Sequence, residues 1–336
     1  MSENRWKKEN FVFRLKSPLH IGYMPFKGSV VSPTRYYVPG RNFWGAVTKI
    51  VTESQYKKPE GKNYRKIGKR IIENFRFSYF YLYDGQVVYF PRYTDQGIKY
   101  GGITKAEFEH RFIGSIVSTE IEDKTRTAKD KSLHEIEFIN NQFRDKNGNI
   151  KPVMIAGCIW IWIKEDAKSE IKLKIKEDGI FVNGSNIISE LILGGESKYG
   201  FGHVQLASGV EFPKTAPFKW GDIPEKIEIK QREPLVAHLK YNKNIKFEGD
   251  IELFTGIGFY DPKKLQDKDT TEGNGNICSN NSSDGKKESE GAEKPGRIIS
   301  KPEFYFSPGT VLEKDINCKL NWDGTLEECY NANAPH

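Results

Sequence analysis

The chain has 336 residues, and this length predicts either one large domain with an accessory region or two domains. Its 52 Lys and Arg residues outnumber its 45 Asp and Glu residues, and the net charge of +7 is compatible with a polyanionic partner without requiring one. The longest apolar stretch, Val153–Ile163, is far shorter than the about 20 residues that span a bilayer, and Met1–Asn10 does not resemble a signal peptide, so no membrane association is expected.

The cysteines give no sign of a metal or disulfide framework. The four are Cys158, Cys278, Cys318 and Cys329, with no CxxC pair and no histidine at ligand spacing. Scattered thiols of this kind are typical of a reducing compartment. The sequence therefore predicts a cytoplasmic protein with no metal and no cofactor.

The first predicted elements are a strand and a helix. Phe11–Leu15 alternates apolar and other side chains, as in a half-buried strand. After a loop rich in Gly, Pro and Ser, Asn42 is a plausible helix N-cap. Apolar residues then recur at helical spacing at Phe43, Ala46, Val47, Ile50 and Val51. Arg41 and Lys49 fall outside this stripe, so their side chains are expected to be accessible.

A second helix, over residues 64–74, leads into an aromatic strand. Phe75, Phe77, Tyr79, Tyr81 and Tyr83 alternate along it, and Asp84-Gly85 predicts a tight hairpin turn back into residues 87–90. The ladder could stack nucleic-acid bases, but one packed sheet face is the favoured interpretation.

The middle of the chain predicts a protruding hairpin followed by a buried strand. Residues 116–121 and 133–139 are candidate strands joined by a polar tip at 122–130. Val153–Ile163 is apolar throughout, which favours a central strand covered on both faces. A hairpin around Asp178-Gly179 and a short helix from Asn186 to Leu193 follow. This order predicts an α+β, ferredoxin-like (RRM-like) split βαβ fold with insertions.

A glycine-rich stretch follows the last predicted helix. Four glycines (Gly194, Gly195, Gly200 and Gly202) stand with Lys198, Tyr199 and Phe201 before a final strand. Without a Cβ, the backbone amides of glycine can approach a phosphate or a base closely. A nucleotide P-loop is excluded, because GxxxxGK[ST] is absent and the glycines follow a helix. A plain connecting loop remains the alternative.

Four separated stretches resemble the RAMP superfamily of CRISPR-associated proteins. Ser17–Gly22 resembles the exit of the family's first strand, and Tyr37–Val47 resembles its "IPGSSLKGALR" helix start. Ser118–Phe138 resembles its thumb hairpin, "IDRxTGxAxxGxLFxxE", and Gly194–Gly202 resembles its signature glycine loop. The four occur in family order across roughly the first 205 residues. By this resemblance the chain is identified as a type III-like effector subunit.

The resemblance implies that the glycine loop and first helix hold the backbone of a guide RNA (crRNA) and that the thumb wedges between bases. Other effector subunits are then implied partners, and target RNA remains an open one. The implied RNA contacts are His20, Arg41, Lys49, Lys124, Arg126, Gly194, Gly195, Lys198, Tyr199, Gly200 and Gly202. Side chains at Gly200 or Gly202 are expected to obstruct RNA more than Lys198→Ala does.

The resemblance also bears on catalysis. Family members that cut target RNA place an Asp between the first strand and first helix, whereas Pro18–Asn42 contains no Asp or Glu. A non-catalytic guide-binding subunit is therefore expected. The first alternative is a metal-independent endoribonuclease that matures the guide and uses His20. The second is a structural adaptor that binds no RNA.

Residues 1–209 are expected to form the RAMP domain, with the thumb insertion at about 105–150, and 210–336 to form a β-rich second region. Its predicted strands are 226–230, 246–254 and 304–311. The polar stretch 266–297 predicts a disordered loop. Lys301–Val311 resembles the "aGSVyxf" strand of subunits that cap the guide's five-prime handle, which favours a capping position over a filament position.

Overall fold

The structure is a computed structural model that describes residues 5–23, 30–128, 132–163, 172–176, 178–255, 257–258, 298–299 and 302–329. The loop predicted at 266–297 lies outside these residues. Three α-helices occur in the described part: α1 (Gly40–Gln55), α2 (Gly61–Asn74) and α3 (Lys105–Phe112). None of them is long and apolar enough to cross a bilayer.

Strands dominate the fold. Those before residue 210 are β1 (Arg5–Leu15), β2 (Val31–Ser32), β3 (Tyr37–Val38), β4 (Phe75–Phe77), β5 (Phe80–Tyr83), β6 (Val88–Tyr89), β7 (Pro91–Thr94), β8 (Gly97–Tyr100), β9 (Ile103–Thr104), β10 (Ile113–Ser118), β11 (His134–Ile139), β12 (Gln142–Arg144), β13 (Ile150–Pro152), β14 (Met154–Ile163), β15 (Leu173–Lys176), β16 (Gly179–Val182), β17 (Ser185–Asn186), β18 (Glu190–Ile192) and β19 (His203–Leu206). Those after it are β20 (Ile227–Ile229), β21 (Leu239–Lys240), β22 (Phe247–Glu248), β23 (Ile251–Phe254), β24 (Ile257–Gly258), β25 (Ile298–Ile299), β26 (Glu303–Phe306), β27 (Val311–Leu312), β28 (Ile316–Leu320) and β29 (Leu326–Glu328). The protein is mixed α and β and rich in strands.

A central antiparallel sheet organises the first part of the chain. Its strand order is β18-β19-β1-β14-β5-β3, with β4 also pairing with β14 and β6 with β5. β14 lies in the middle and its first eight residues are buried, which confirms the predicted central strand. β1 begins earlier than predicted, because Arg5–Asn10 pairs with Cys158–Ile163.

The two faces of this sheet are covered by different parts of the chain. α1 and α2 contribute Phe43, Val47, Ile67 and Ile71 to the core on one face. On the other face, a six-stranded sheet of the C-terminal part, in the order β20-β28-β29-β21-β26-β23, contributes residues such as Phe306 to a second core. That second core contains side chains from both parts of the chain. The domain boundary near residue 210 stays a prediction.

A β-bulge divides the aromatic ladder between these two cores. Phe77 of β4 pairs with Ile159 of β14, and Tyr81 of β5 pairs with Ala156 of β14. Between these two pairs the segment that runs from β4 into β5 advances four residues, whereas β14 advances three. The extra residue reverses the facing of the side chains that follow. Phe75 and Phe77 therefore face the helices, and the later tyrosines face the C-terminal sheet. The ladder is packed as predicted, but the prediction of a single face was wrong.

The helix predicted from Asn186 to Leu193 is absent. β17 and β18 lie there instead, and β18 pairs antiparallel with β19 at the edge of the central sheet. Leu191 is buried whereas Ile192 is exposed, which is the alternation of a strand. Ile187 and Ile188 are β-branched and lose side-chain freedom in a helix, which weakens the helical preference of this stretch. The pairing of β18 with β19 then outweighs the helical spacing of the apolar residues.

A buried charged cluster joins the central sheet to the C-terminal sheet. The Arg35 side chain is 6% exposed, and its Nη1 donates to Tyr37 Oη at 3.0 Å and Glu252 Oε1 at 2.7 Å. His238 is also buried and contacts Glu252 through Nε2, while its Nδ1 lies 2.5 Å from the Tyr79 hydroxyl. When His238 is neutral, the Tyr79 hydroxyl donates to the Nδ1 of His238, and the Nε2–H of His238 donates to the Glu252 carboxylate.

Acid should weaken this cluster. Burial would raise the pKa of Glu252, but the neighbouring His238 and Arg35 lower it to about 2. Burial lowers the pKa of His238, against the opposing effect of Glu252. Both groups therefore bind protons more readily in the unfolded chain, and stability should fall as pH decreases below the unfolded values of about 6.5 for His and about 4.3 for Glu.

We expect Glu252→Gln to flatten the pH dependence of the free energy of unfolding between about pH 4.3 and pH 2, where the carboxylate contributes on the order of 2 kcal/mol. Urea unfolding at a series of pH values measures this. Glu327→Gln, at the exposed Lys319–Glu327 pair, is the control and should leave the slope nearly unchanged. Parallel pH profiles for the wild type and Glu252→Gln would contradict the expectation.

Candidate nucleic-acid interface

The glycine-rich loop is bound to the exit of β1 by its backbone. The amide of Gly195 donates to the carbonyl oxygen of His20 at 2.9 Å, and the amide of Gly202 donates to that of Pro18 at 2.7 Å. Between these anchors, Ser197–Tyr199 forms a single 3-10 turn. Backbone hydrogen bonds therefore hold both ends of the loop, and Ser197–Gly200 between them is exposed.

The glycines of this loop differ in what surrounds them. A Cβ at Gly194 would lie 2.1 Å from the carbonyl oxygen of His20, and one at Gly202 would lie 2.0 Å from that of Leu193. Gly200 has nothing within 4 Å of the corresponding position. All three glycines have positive φ, which other residues adopt at a cost. Gly194 and Gly202 thus allow close backbone packing, whereas Gly200 faces open space.

The predicted protruding hairpin is present and lies beside this loop. β10 and β11 pair antiparallel from Ile113↔Ile139 to Ser118↔His134. At the base of the hairpin, the backbones of Leu19 and Ile139 exchange hydrogen bonds of 2.9 and 2.8 Å. The Phe138 ring packs edge to face on Phe201 of the glycine loop, with centroids 5.3 Å apart. The β1 exit, the hairpin base and the glycine loop therefore form one continuous structure.

His20 is a packed residue within this structure. It is 4% exposed, and its Nδ1 lies 2.6 Å from the carbonyl oxygen of Glu137. Its Nε2 is 3.5 Å from the Ser32 hydroxyl. The ring thus offers almost no surface to a ligand, and the expectation that its side chain contacts RNA does not fit its position.

The start of α1 is covered by the C-terminal part of the chain. α1 begins at Gly40 with Pro39 as its N-cap, so the prediction of Asn42 as the cap was wrong. The amide of Arg41 donates to the carbonyl oxygen of Asp323 at 2.9 Å, and Gly324 packs directly on Gly40. Arg41 is half-buried there. Lys49 lies further along α1 and is exposed.

The remaining predicted contacts are exposed. Lys198 and Tyr199 lie on the 3-10 turn, and the Tyr199 side chain is 73% exposed. Lys124 and Arg126 lie at the hairpin tip, where Arg126 has a φ of 54°. Amines and guanidinium groups can contact phosphates, and an exposed phenol ring can stack on a base.

Sequence reasoning missed Lys16, which is exposed at the β1 exit. Its amide donates to the carbonyl oxygen of His203 at 2.8 Å, so Lys16 lies beside the end of the glycine loop. The signal for it was its place directly before Ser17-Pro18, where β1 leaves the sheet. Lys16 is thus a further exposed cation at one end of the loop that carries Lys198 and Tyr199.

No group of three His, Cys, Asp or Glu side chains among the described residues is placed to hold a metal ion. Cys158, Cys318 and Cys329 are free thiols, and Cys278 lies outside the described ranges. Burial raises the pKa of Cys158 to about 12, so this thiol stays protonated.

The chain was compared with known proteins. No protein-family model and no curated protein matches it. A chain in the cryo-EM structure of Type III-B Cmr-beta bound to cognate target RNA matches with a TM-score of 0.44 and 10% identity, over 91% of this chain and 86% of that one. A chain in the cryo-EM structure of Type III-B Cmr-beta bound to cognate target RNA and AMPPnP, state 1, matches with a TM-score of 0.46 at the same identity and coverage. A chain of apo Type III-B Cmr-beta gives 0.33 and 8% identity, over 60% of this chain and 96% of that one. Such values decide neither family nor function.

Proposed function

We propose that this chain is a guide-RNA-binding subunit of a type III-like CRISPR ribonucleoprotein effector complex, built on a ferredoxin-like RAMP domain. The observation that carries the proposal is the convergence of three stretches that are far apart in sequence. Ser17–Gly22, the β10–β11 hairpin and Gly194–Gly202 share backbone hydrogen bonds and the Phe138–Phe201 contact. Together they present Lys16, Lys198 and Tyr199 to solvent beside the hairpin.

The strand order supports the ferredoxin-like part of the proposal. β19-β1-β14-β5 is an all-antiparallel order in which α1 and α2 connect β1 to β5 along one face. That is the first half of a split βαβ arrangement. Between β14 and β19, where the second crossover helix of that arrangement would lie, the described residues form the small β15-β16-β17 sheet and β18.

A non-catalytic role is part of the proposal. His20, the residue that an endoribonuclease would recruit here, is packed against Glu137 and Ser32. A general acid must reach the group to which it donates a proton. Pro18–Asn42 contains no Asp or Glu, so it lacks the carboxylate that the resemblance associates with cleavage of target RNA.

Other effector subunits are the proposed partners of this chain, and a position at the five-prime handle of the guide is its proposed location.

We expect the purified protein, alone or with partner subunits, to bind single-stranded repeat-derived RNA. The logarithm of the affinity should fall linearly with the logarithm of the salt concentration, with a slope of about −0.7 for each phosphate that the protein neutralises. Tyr199→Ala should weaken binding by about 1–3 kcal/mol, the usual range for a lost base stack. Fluorescence anisotropy at several salt concentrations measures both. Tyr241→Ala, which removes another exposed ring (39% exposed) outside the stretches that resemble the family, is the matched control and should bind normally.

Equal losses of affinity in Tyr199→Ala and Tyr241→Ala, or an affinity that does not depend on salt, would contradict the proposed RNA surface. Incubation with repeat RNA in EDTA tests the non-catalytic part separately. Site-specific cleavage that His20→Ala abolishes, in a variant with an unchanged melting temperature, would make the chain a metal-independent endoribonuclease.

A further inference from the structure

A groove of about 830 Å³ lies between α3 and the β12–β13 hairpin. None of the proposed RNA contacts lines it. Its apolar surface comes from Ile103 and Ala106 on the side of α3 and from Ile150 on the hairpin. Ile150 is 59% exposed at the rim, although it is an aliphatic side chain on a short two-stranded sheet. An exposed aliphatic residue at the edge of a concave surface is typical of an interaction site.

Three of the four basic residues that line this groove have no acidic partner among the described residues, the exception being Arg111. Arg144, Lys146 and His110 line it, and within the described ranges no carboxylate forms an ion pair with any of them. The one hydrogen bond seen for the Arg144 guanidinium goes to the carbonyl oxygen of Gly148 at 3.3 Å. These groups remain available to a negatively charged partner.

The acidic groups of the groove are already occupied. Glu107 accepts from the amide and the hydroxyl of Thr104, both at 2.8 Å, as the capping box of α3. Asp145 accepts from the amides of Asn147 and Asn149, both at 2.9 Å, inside its own turn. These bonds lower the pKa of both carboxyl groups, so they stay ionised and bound to their neighbours. Both carboxylates keep their charge, but their oxygens are engaged, so the side chains of Arg144 and Lys146 are the charged groups of the groove that are left to bind a ligand.

The aromatic ring of the groove is not open to base stacking. The Arg111 guanidinium lies over Phe143 at 4.5 Å from the ring centroid. Arg111 is held there by the Tyr89 hydroxyl at 2.7 Å and by Asp84 at 3.2 Å. Single-stranded nucleic acid is usually bound through exposed aromatic faces, whereas aliphatic side chains flanked by charges are typical of a protein interface.

The geometry points to this groove as a docking site for an acidic segment of a partner protein that carries an aliphatic side chain. The aliphatic side chain packs between Ile103, Ala106 and Ile150. Carboxylates beside it pair with Arg144 and Lys146 at the rim, where complementary charge sets orientation and partner choice. No residue that lines the groove belongs to the glycine loop or to the proposed RNA contacts.

A phage-displayed library of random short peptides tests the inference without knowledge of the natural partner. The full chain is the target, and the double variant Arg144→Glu, Lys146→Glu is used for counter-selection. We expect the enriched peptides to combine Asp or Glu with Leu, Ile or Val. By fluorescence anisotropy they should lose about tenfold or more in affinity for the double variant and for Ile150→Asp. Lys243→Glu, at an exposed lysine outside the groove, should bind as the wild type does.

The three changed side chains are exposed, so the melting temperature should not move. Failure to enrich any peptide, enrichment of peptides without acidic residues, or equally tight binding to the variants and the wild type would overturn the inference. A single-stranded uridine oligonucleotide is the second probe. If its binding is lost in the double variant while no peptide is enriched, the groove is an RNA site, and the protein-docking assignment is wrong.

Discussion

Gly202→Ala is expected to destabilise the protein by about 3 kcal/mol or more, because it combines backbone strain with a steric overlap. The φ of Gly202 is +85°, and its Cβ would lie 2.0 Å from the carbonyl oxygen of Leu193. The backbone of Gly202 also bonds to Leu193 and Pro18, at 2.9 and 2.7 Å, so a shift that relieves the overlap breaks the anchor of the loop. Urea unfolding measures the loss.

Gly200→Ala is the matched control, because its φ of +83° is nearly the same and its Cβ would meet nothing within 4 Å. It should cost only the strain of a left-handed residue, about 1 kcal/mol. Similar losses at Gly200 and Gly202 would show that the loop does not depend on the Leu193 contact. Because a Cβ at Gly200 meets nothing within 4 Å, RNA binding by Gly200→Ala also tests the proposed contact between the loop and RNA.

Arg35→Met is expected to cost about 3 kcal/mol, the lower end of the usual penalty for breaking a buried ion pair, because Glu252 keeps its contact with His238. The change removes the guanidinium that donates to Glu252 and to the Tyr37 hydroxyl. It also removes the contacts that this guanidinium makes with the rings of Tyr23 and Phe254, at 4.9 and 5.2 Å from their centroids. Since Arg35 precedes β3 and Glu252 lies in β23, the loss falls on the junction of the two sheets.

Two further variants make this expectation specific. Lys319→Met breaks the exposed pair with Glu327 at 3.1 Å and should change stability by less than about 1 kcal/mol. Arg35→Met combined with Glu252→Gln should be less unstable than the sum of the single changes, because the uncompensated carboxylate is then gone. Additive losses in urea unfolding would show that Arg35 and Glu252 are not coupled.

The candidate site could be predicted from the sequence only in part. Lys198 and Tyr199 are exposed as expected, because a polar turn between two glycines has no apolar residue to bury. The family resemblance implies an RNA contact at His20, and nothing local in the sequence indicates that β11 and the glycine loop close over it. Arg41 was assigned by helical spacing, which carries no information about the Asp323–Gly324 segment that covers the start of α1.

The sequence by itself determined the elements that depend on neighbouring residues. The apolar run of β14, the Asp84-Gly85 turn and the Phe43–Val51 stripe of α1 each carry their signal within about ten residues, the range in which propensity and periodicity act. The tertiary structure alone decided the bulge that divides the aromatic ladder, the strand at Glu190–Ile192 and the burial of Arg35 beside Glu252. Each of these depends on pairing with a segment far away in the chain, and the free energy of such long-range contacts exceeds the small local preferences that a sequence pattern reports.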